Sequence, residues 1–186
     1  VRHHFNAEAT PKDMEETYLP AFEELIVDAK VESVMGAYNR LNNYWCCEDP
    51  WLLTYVLRDE WGFKHLVVSD CGAVSDIWTS HKVSSDATHA SARATLAGTD
   101  VECGFNYSYK SLPDAVRRGL ISEKEVDKHV TRLLEGRFDL GEMDDQKLVS
   151  WSHIPFSVVS SKQHAQLSLD MARGKPSPEQ TDLSRP

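Results

Sequence analysis

The chain is 186 residues long, with 41% hydrophobic and 26% charged residues; the length suits one ordinary domain, and the composition excludes disorder and fibre. Its 20 basic residues against 29 acidic ones leave a net charge of −9, which argues against a nucleic-acid partner or an anionic membrane surface, since both need a basic face. Apolar runs never exceed a handful of residues, so the sequence holds neither a transmembrane span nor the apolar stretch of a secretory signal. Because the first residue is Val1 rather than Met, that missing signal leaves the compartment open.

In chain order, Thr10-Pro11-Lys12-Asp13 predicts a helix start, with Thr10 as cap and Pro11 at the first helical position. Met14, Tyr18, Phe22, Leu25 and Ile26 recur at helical spacing, and Pro20 is expected to kink that helix rather than end it. Val31 to Tyr38 predicts a buried parallel strand running into a polar turn over 39–43. Asp49-Pro50 caps a second helix carrying Trp51, Leu52, Val56 and Leu57, closed at Gly62. Leu66 to Ser69 is a compact strand ending in Asp70-Cys71-Gly72. A helix over Ser85 to Ala97 stops at Gly98, and Thr99 to Cys103 makes another short strand. Ser111 opens a helix holding Leu112, Ala115 and Val116, and Ser122-Glu123-Lys124-Glu125 is a capping box for a longer one. Val126, Val130, Leu133, Leu134 and Phe138 are expected to line its inner face. From about Leu140 the pattern weakens, and Gly174 to Pro178 has linker composition. Short buried strands alternating with amphipathic helices mean a parallel sheet with right-handed crossovers. With about three strands, against the ~250 residues of a complete (β/α)8 barrel, the chain holds only part of one.

In such architectures ligands collect beyond the carboxyl ends of the strands. Three ends are visible: Tyr38-Asn39-Arg40, Asp70-Cys71-Gly72, and Asp100 with Glu102 and Cys103. An acidic residue directly after an apolar strand singles out Asp70, with a helix cap or satisfied loop carboxylate as the plainer reading. Cys46-Cys47 lacks the CxxC or HxxxH spacing of a zinc site and reads as packing. His65, His81, His89, His129 and His153 show no ligand spacing and read as solvated or packing histidines. No metal or cofactor is expected.

The blocks Ser33-Val34-Met35-Gly36-Ala37-Tyr38-Asn39-Arg40, Val56-Leu57-Arg58-Asp59-Glu60-Trp61-Gly62-Phe63 and Val67-Val68-Ser69-Asp70-Cys71-Gly72-Ala73 resemble glycoside hydrolase family 3 in order, spacing and chemistry. The resemblance runs from about residue 1 to 173 and includes Arg132 to Gly141, similar to the family's barrel-closing helix. Ser-Asp-Cys-Gly together with Asp100-Val101-Glu102-Cys103-Gly104 resembles the β-xylosidase branch; β-glucosidases typically have Trp where Cys71 stands. The resemblance implies an α/β fold in which residues 1–141 are the carboxyl-side part of a TIM-type barrel, 142–173 a linker toward an α/β sandwich domain, and 174–186 a divergent, disordered tail.

It also implies a retaining, exo-acting β-glycosidase that removes terminal β-linked xylose from xylo-oligosaccharides or aryl glycosides. That chemistry needs two carboxyl groups about 5–5.5 Å apart. Asp70 aligns with the family's nucleophile, and Tyr38 with a tyrosine beside it. Arg40, Cys71 and Glu102 are the other candidate substrate-binding residues, Arg40 and Asn39 having a turn-holding role as the alternative. The acid/base glutamate belongs to the sandwich domain, outside this chain, and a Lys-His pair is expected before Val1. Glu102, Asp100 and Glu48 have no context that matches a substitute acid, so the isolated chain is expected to be inactive. Cys71 and Cys103 follow consecutive strands about 4.8 Å apart, within reach of a disulfide if their side chains face each other. Such a bridge would wall the pocket where glucosidases place Trp and favour a pentose. The family and that bridge fit a secreted or periplasmic setting. His3-His4 lies near a histidine used by N-acetylglucosaminidase members, without that branch's pattern around it. His65 departs from an expected glycine, and Gly36 from an expected cysteine or other small residue. Alternatives are a β-glucosidase or arabinofuranosidase of the same family, or a non-catalytic remnant that binds sugar or a partner chain.

Overall fold

Hydrogen bonding of successive strand ends organises the molecule. The structure, a computed structural model, describes residues 2–104 and 108–174; the expected tail over 174–186 lies, beyond Gly174, outside the described residues. The chain divides into two units, Val1–Leu140 and Gly141–Pro186.

The first unit begins with β1 (Asn6–Ala7), followed by a helical stretch made of α1 (Pro11–Asp13), a π-helical turn (Met14–Tyr18), α2 (Pro20–Glu23) and a second π-helical turn (Glu24–Asp28). Thr10 caps it as expected, its hydroxyl accepting the Asp13 N–H at 3.1 Å while Asp13 accepts the Thr10 N–H at 3.2 Å. Pro20 has no N–H to give, so the ladder breaks at Leu19, whose own N–H reaches back to the Met14 carbonyl at 2.8 Å, and a new α segment starts. The wide turns rotate the apolar stripe away from 3.6-residue spacing. Met14, Leu19 and Ile26 are buried, whereas Tyr18, Phe22 and Leu25, expected on the inner face, are exposed.

Next come β2 (Ser33–Gly36), the short β3 (Arg40–Leu41) and β4 (Tyr44–Trp45), a 3-10 turn (Cys46–Glu48), a π-helical segment (Trp51–Glu60) and β5 (Leu66–Ser69). β2 and β5 pair in parallel from Ser33↔Leu66 to Gly36↔Ser69, while β3 pairs in parallel with β1 and antiparallel with β4. Val34 and Val67 pack with Ile26, Leu53, Leu57, Phe63 and Ala97; Met35, on the opposite face of β2, is 61% exposed. The expected third strand, Thr99 to Cys103, contracts to a single parallel bridge, Val68↔Val101. The reason is local: the Asp100 carboxylate takes the Val67 N–H at 2.7 Å, occupying a donor of the ladder.

α3 (Ala73–Thr79), α4 (Ala87–Ala97), a 3-10 turn (Ser108–Ser111), α5 (Leu112–Arg117) and α6 (Glu123–Asp139) complete the unit. Val74, Ile77, Ala90 and Ala94 join α3 to α4, and Ala92, Ala115 and Ile121 join α4 to the α5 region. On α6 the expected inner face is corrected in part: Val126 packs against Ala92, Ala115 and Ile121, but Val130, Leu134 and Phe138 are exposed, and beyond Val126 the helix docks through His129, 4% exposed. His129 Nδ1 and Arg132 Nη1 both donate to Asp100 Oδ1, at 2.6 and 2.8 Å, and Arg58 Nη2 donates to Oδ2 at 2.7 Å. His129 is therefore a buried hydrogen-bonding contact to Asp100 rather than a solvated or packing residue. Burial alone would raise the Asp100 carboxyl, but the His129 hydrogen bond, the Arg58 charge, the Val67 N–H and Arg132 outweigh it and hold the group below the ordinary carboxylate range.

The second unit contains three 3-10 turns (Gln146–Leu148, Ser150–His153, Phe156–Val158) and α7 (Lys162–Ala172), capped by Ser161. Gly141 has φ +71°, and a Cβ there would meet Val149 Cγ2 at 2.8 Å, so the turn that opens this unit requires glycine. Among the described residues no helix is long and apolar enough to cross a membrane.

Candidate active site

β2 and β5 end together because the Asp70 N–H donates to the Gly36 carbonyl at 2.9 Å. Beyond that bond the chain turns sharply. Gly72, at φ +85°, leads into α3, and the Ala73 N–H donates to the Asp70 carbonyl at 2.9 Å. The Cys71 N–H donates to Asp70 Oδ1 at 2.6 Å, fixing the carboxylate's orientation.

From the end of β2, the Tyr38 hydroxyl donates to the Cys71 carbonyl at 2.7 Å, next to Asp70 in the chain. Partial burial, then the neighbouring Asp70 carboxylate, raise the phenol above its ordinary value, so Tyr38 stays a neutral donor. Its backbone carbonyl accepts from His81 Nε2 at 3.0 Å. Its ring is flanked by His3, with centroids 4.2 Å apart, and by the Arg2 guanidinium at 5.2 Å. His3 Nδ1 in turn donates to Asp76 Oδ2 at 2.5 Å.

Cys71 and Cys103 are joined by a disulfide, and the Gly72 N–H donates to the Cys103 carbonyl at 2.7 Å. Gly104 is needed in this corner, since at φ +136° its Cβ would lie 2.7 Å from the Gly72 nitrogen. Arg40, on β3, places its guanidinium 5.7 Å from the Trp45 ring, which His81 meets edge-on at 5.5 Å. The structure thus gathers Tyr38, Asp70 and Cys71, with Arg40 tied in through Trp45 and His81.

Glu102 has a different setting. Its buried carboxylate accepts the Tyr109 N–H at 2.7 Å and lies 3.5 Å from Ser75 Oγ, and burial raises its pKa. The two other carboxylates weighed as substitute acids are also engaged. Asp100 serves the α6 cluster, and Glu48 accepts from Arg93 Nε at 3.1 Å and Nη2 at 2.8 Å. Burial pushes the free thiols of Cys46 and Cys47 up to about 11 and about 12, which leaves both protonated at neutral pH and poor nucleophiles. Among the described residues no three His, Cys, Asp or Glu side chains are grouped to hold a metal. Asp76 and His81 carry no sequence signal that points to the site. Asp76 lies on a short, mostly apolar helix with nothing beside it that marks a site, and its partner His3 is 73 positions away.

A family model described as "Glycosyl hydrolase family 3 N terminal domain" matches residues 2–135. A xylan 1,4-beta-xylosidase from Xylanibacter ruminicola is 64% identical over 174 residues, covering 93% of this chain and 20% of that protein. Among solved structures, an exo-beta-xylosidase of the same family, in complex with a xylobiose aziridine activity-based probe, superposes with a TM-score of 0.83 at 32% identity over 92% of this chain and 22% of that one. A β-glucosidase from Erythrobacter marinus gives 0.82 at 30% identity over 90% and 22%. The chain thus has the barrel-type α/β fold of these enzymes and spans about a fifth of the length of the relatives it matches.

Proposed function

The chain belongs to glycosyl hydrolase family 3 and is similar to its β-xylosidases, and from that premise we propose that it is the nucleophile-bearing part of a retaining β-xylosidase. Residues 1–141 are read as the carboxyl-side part of the barrel domain, 142–173 as a linker toward an α/β sandwich domain, and 174–186 as a divergent tail. The supporting observation is Asp70 at a parallel strand end, with one carboxylate oxygen held by the Cys71 N–H and the Tyr38 phenol alongside. That N–H holds Oδ1 and so sets the direction in which the carboxylate presents its oxygens to the anomeric carbon.

In this reading the Asp70–sugar ester forms as the glycosidic bond breaks, the leaving oxygen takes its proton from the glutamate of the sandwich domain, and water, deprotonated by the same glutamate, then releases the sugar with its configuration retained. Tyr38 donates beside the charge as it moves from carboxylate to sugar. The Cys71–Cys103 bridge walls the pocket against a hexose's hydroxymethyl arm, Arg40 stands at its rim, and Glu102 supports the same turn from within. The isolated chain, without the glutamate, turns over no substrate.

The test uses a form of the enzyme extended to include the sandwich domain, assayed on aryl-β-xyloside and aryl-β-glucoside. Asp70→Ala should lower kcat by about 10³-fold or more, because the covalent route is removed rather than weakened. Full activity in that variant rules out Asp70 as nucleophile, and a higher kcat/KM on the glucoside refutes the pentose preference.

A further inference from the structure

The reaction outlined above makes no use of a pair that the fold brings to it, His3 and Asp76. They are 73 residues apart in sequence, yet His3 Nδ1 and Asp76 Oδ2 lie at 2.5 Å. The carboxylate is sheltered, its side chain 13% exposed, and its other oxygen accepts the Ser80 hydroxyl at 2.7 Å. Exposed ion pairs commonly contribute almost nothing because both side chains remain mobile. Here the carboxylate is held from two sides, so the imidazole is fixed in place as well as bound.

That fixed ring faces Tyr38. The two centroids are 4.2 Å apart with the planes at 53°, and the Arg2 guanidinium lies 5.2 Å from the same phenol ring. The residue carrying the carboxylate also controls the tyrosine from its backbone. The Asp76 carbonyl accepts the His81 N–H at 2.8 Å, and His81 Nε2 holds the Tyr38 carbonyl at 3.0 Å. Tyr38 is thus fixed at its backbone and against its ring by two routes that meet at Asp76. Its hydroxyl ends on the Cys71 carbonyl at 2.7 Å, beside Asp70. A tyrosine has two side-chain torsions, and packing on the ring is what holds its hydroxyl to a tolerance of a fraction of an ångström.

We propose that His3, held by Asp76, is a positioning residue for Tyr38, fixing the phenol over the Asp70–Cys71 turn. The bearing of this contact on catalysis rests on the reading of Asp70 as nucleophile; the contact itself does not.

The experiment labels the 186-residue chain with 3-fluorotyrosine and follows its six tyrosines by fluorine NMR, with Tyr38→Phe identifying the Tyr38 signal. His3→Ala and Asp76→Asn should each move the Tyr38 signal and bring its phenol titration down toward the ordinary value, as the ring loses cover, while the other tyrosine signals stay in place. Lys12→Ala, at an exposed residue of the first helical turn, should leave Tyr38 unmoved. If His3→Ala does not fold, His3→Asn, which keeps an N–H for Asp76 but has no ring, gives the same readout. A Tyr38 signal unchanged in the His3 and Asp76 variants overturns the proposal, as does an equal shift in Lys12→Ala. In the extended enzyme His3→Ala should lower kcat about tenfold with little change in KM. Failure of the Asp70 assignment would leave the fluorine result standing, and an unmoved fluorine signal would remove His3's role even with Asp70 confirmed.

Discussion

Gly36 lies closer to Cys47 than any side chain at that position allows. A Cβ built there would sit 2.7 Å from Cys47 Sγ but 3.8 Å from Cys47 Cβ; the first is a collision, and the second falls in the ~3.5–4.5 Å span between the Cβ atoms of a disulfide. The two distances predict opposite results for two small substitutions. Gly36→Ala should destabilise the chain by about 1–3 kcal/mol through overpacking, measured by urea unfolding. Gly36→Cys, folded under an oxidant, should bond to Cys47 and lower the free thiols from Cys46 and Cys47 to Cys46 alone; three titratable thiols after oxidation would refute it. The departure from a cysteine at position 36 was legible in the sequence, and its cost was not, because the cost depends on a rotamer eleven residues away in the chain. His65, the other departure, takes no positive φ. Its carbonyl accepts from Arg58 Nη1 at 3.2 Å, so the backbone tolerates a side chain where the family pattern has glycine.

Between elements, a central tie is polar where the sequence pattern points to an apolar one. Asp100 joins β5, the Trp51–Glu60 segment and α6 through Val67, Arg58, His129 and Arg132. Apolar periodicity finds elements that bury carbon, so β2, β5, α4 and α6 were legible from it, the last with its Ser122 cap. It has no means of showing that α6 docks through a histidine and an arginine, since those residue types are solvated by default. Asp100→Asn leaves the partly buried Arg58 and Arg132 facing a neutral amide, and the loss should be about 3–5 kcal/mol. The pH dependence has a definite sign. Asp100's carboxyl is depressed in the folded state, so its stabilisation is complete above the unfolded value of about 3.9 and is lost as pH falls through the lower folded value. Glu48, Asp49 and Glu102 are raised, chiefly by burial, and act with the opposite sign, but equally in both proteins. The stability gap between wild type and Asp100→Asn should therefore close below about pH 4; a gap that stays open in acid would refute the ionic account.

At the scale of the whole molecule, the site was legible as far as its strand ends reached. Tyr38 and Asp70 follow directly from where two apolar runs stop, whereas the His3–Asp76–His81 frame around them joins distant segments and becomes visible only once the chain is folded. The same fold leaves apolar surface uncovered. Among the described residues β2 pairs on one edge only, with β5, and a cavity of about 470 Å³ opens beside it, lined by Tyr18, Phe22, Met35, Leu41, Leu52 and Trp61. Met35, Tyr18 and Phe22 are 61%, 57% and 53% exposed. An unpaired parallel edge with exposed aromatic and thioether side chains next to it is a surface for association, because it offers both backbone donors and carbon to bury. The chain should therefore self-associate as its concentration rises, with the weight-average mass from sedimentation equilibrium increasing accordingly. Met35→Glu removes one apolar contact worth about 1.5–3 kcal/mol and sets a charge on the edge, so it should weaken association by about tenfold or more. Lys12→Glu, on the exposed first turn of the helical stretch away from that cavity, should leave association unchanged. A chain that stays monomeric throughout, or a Met35→Glu variant that associates as the parent does, would show that some other surface governs its behaviour in solution.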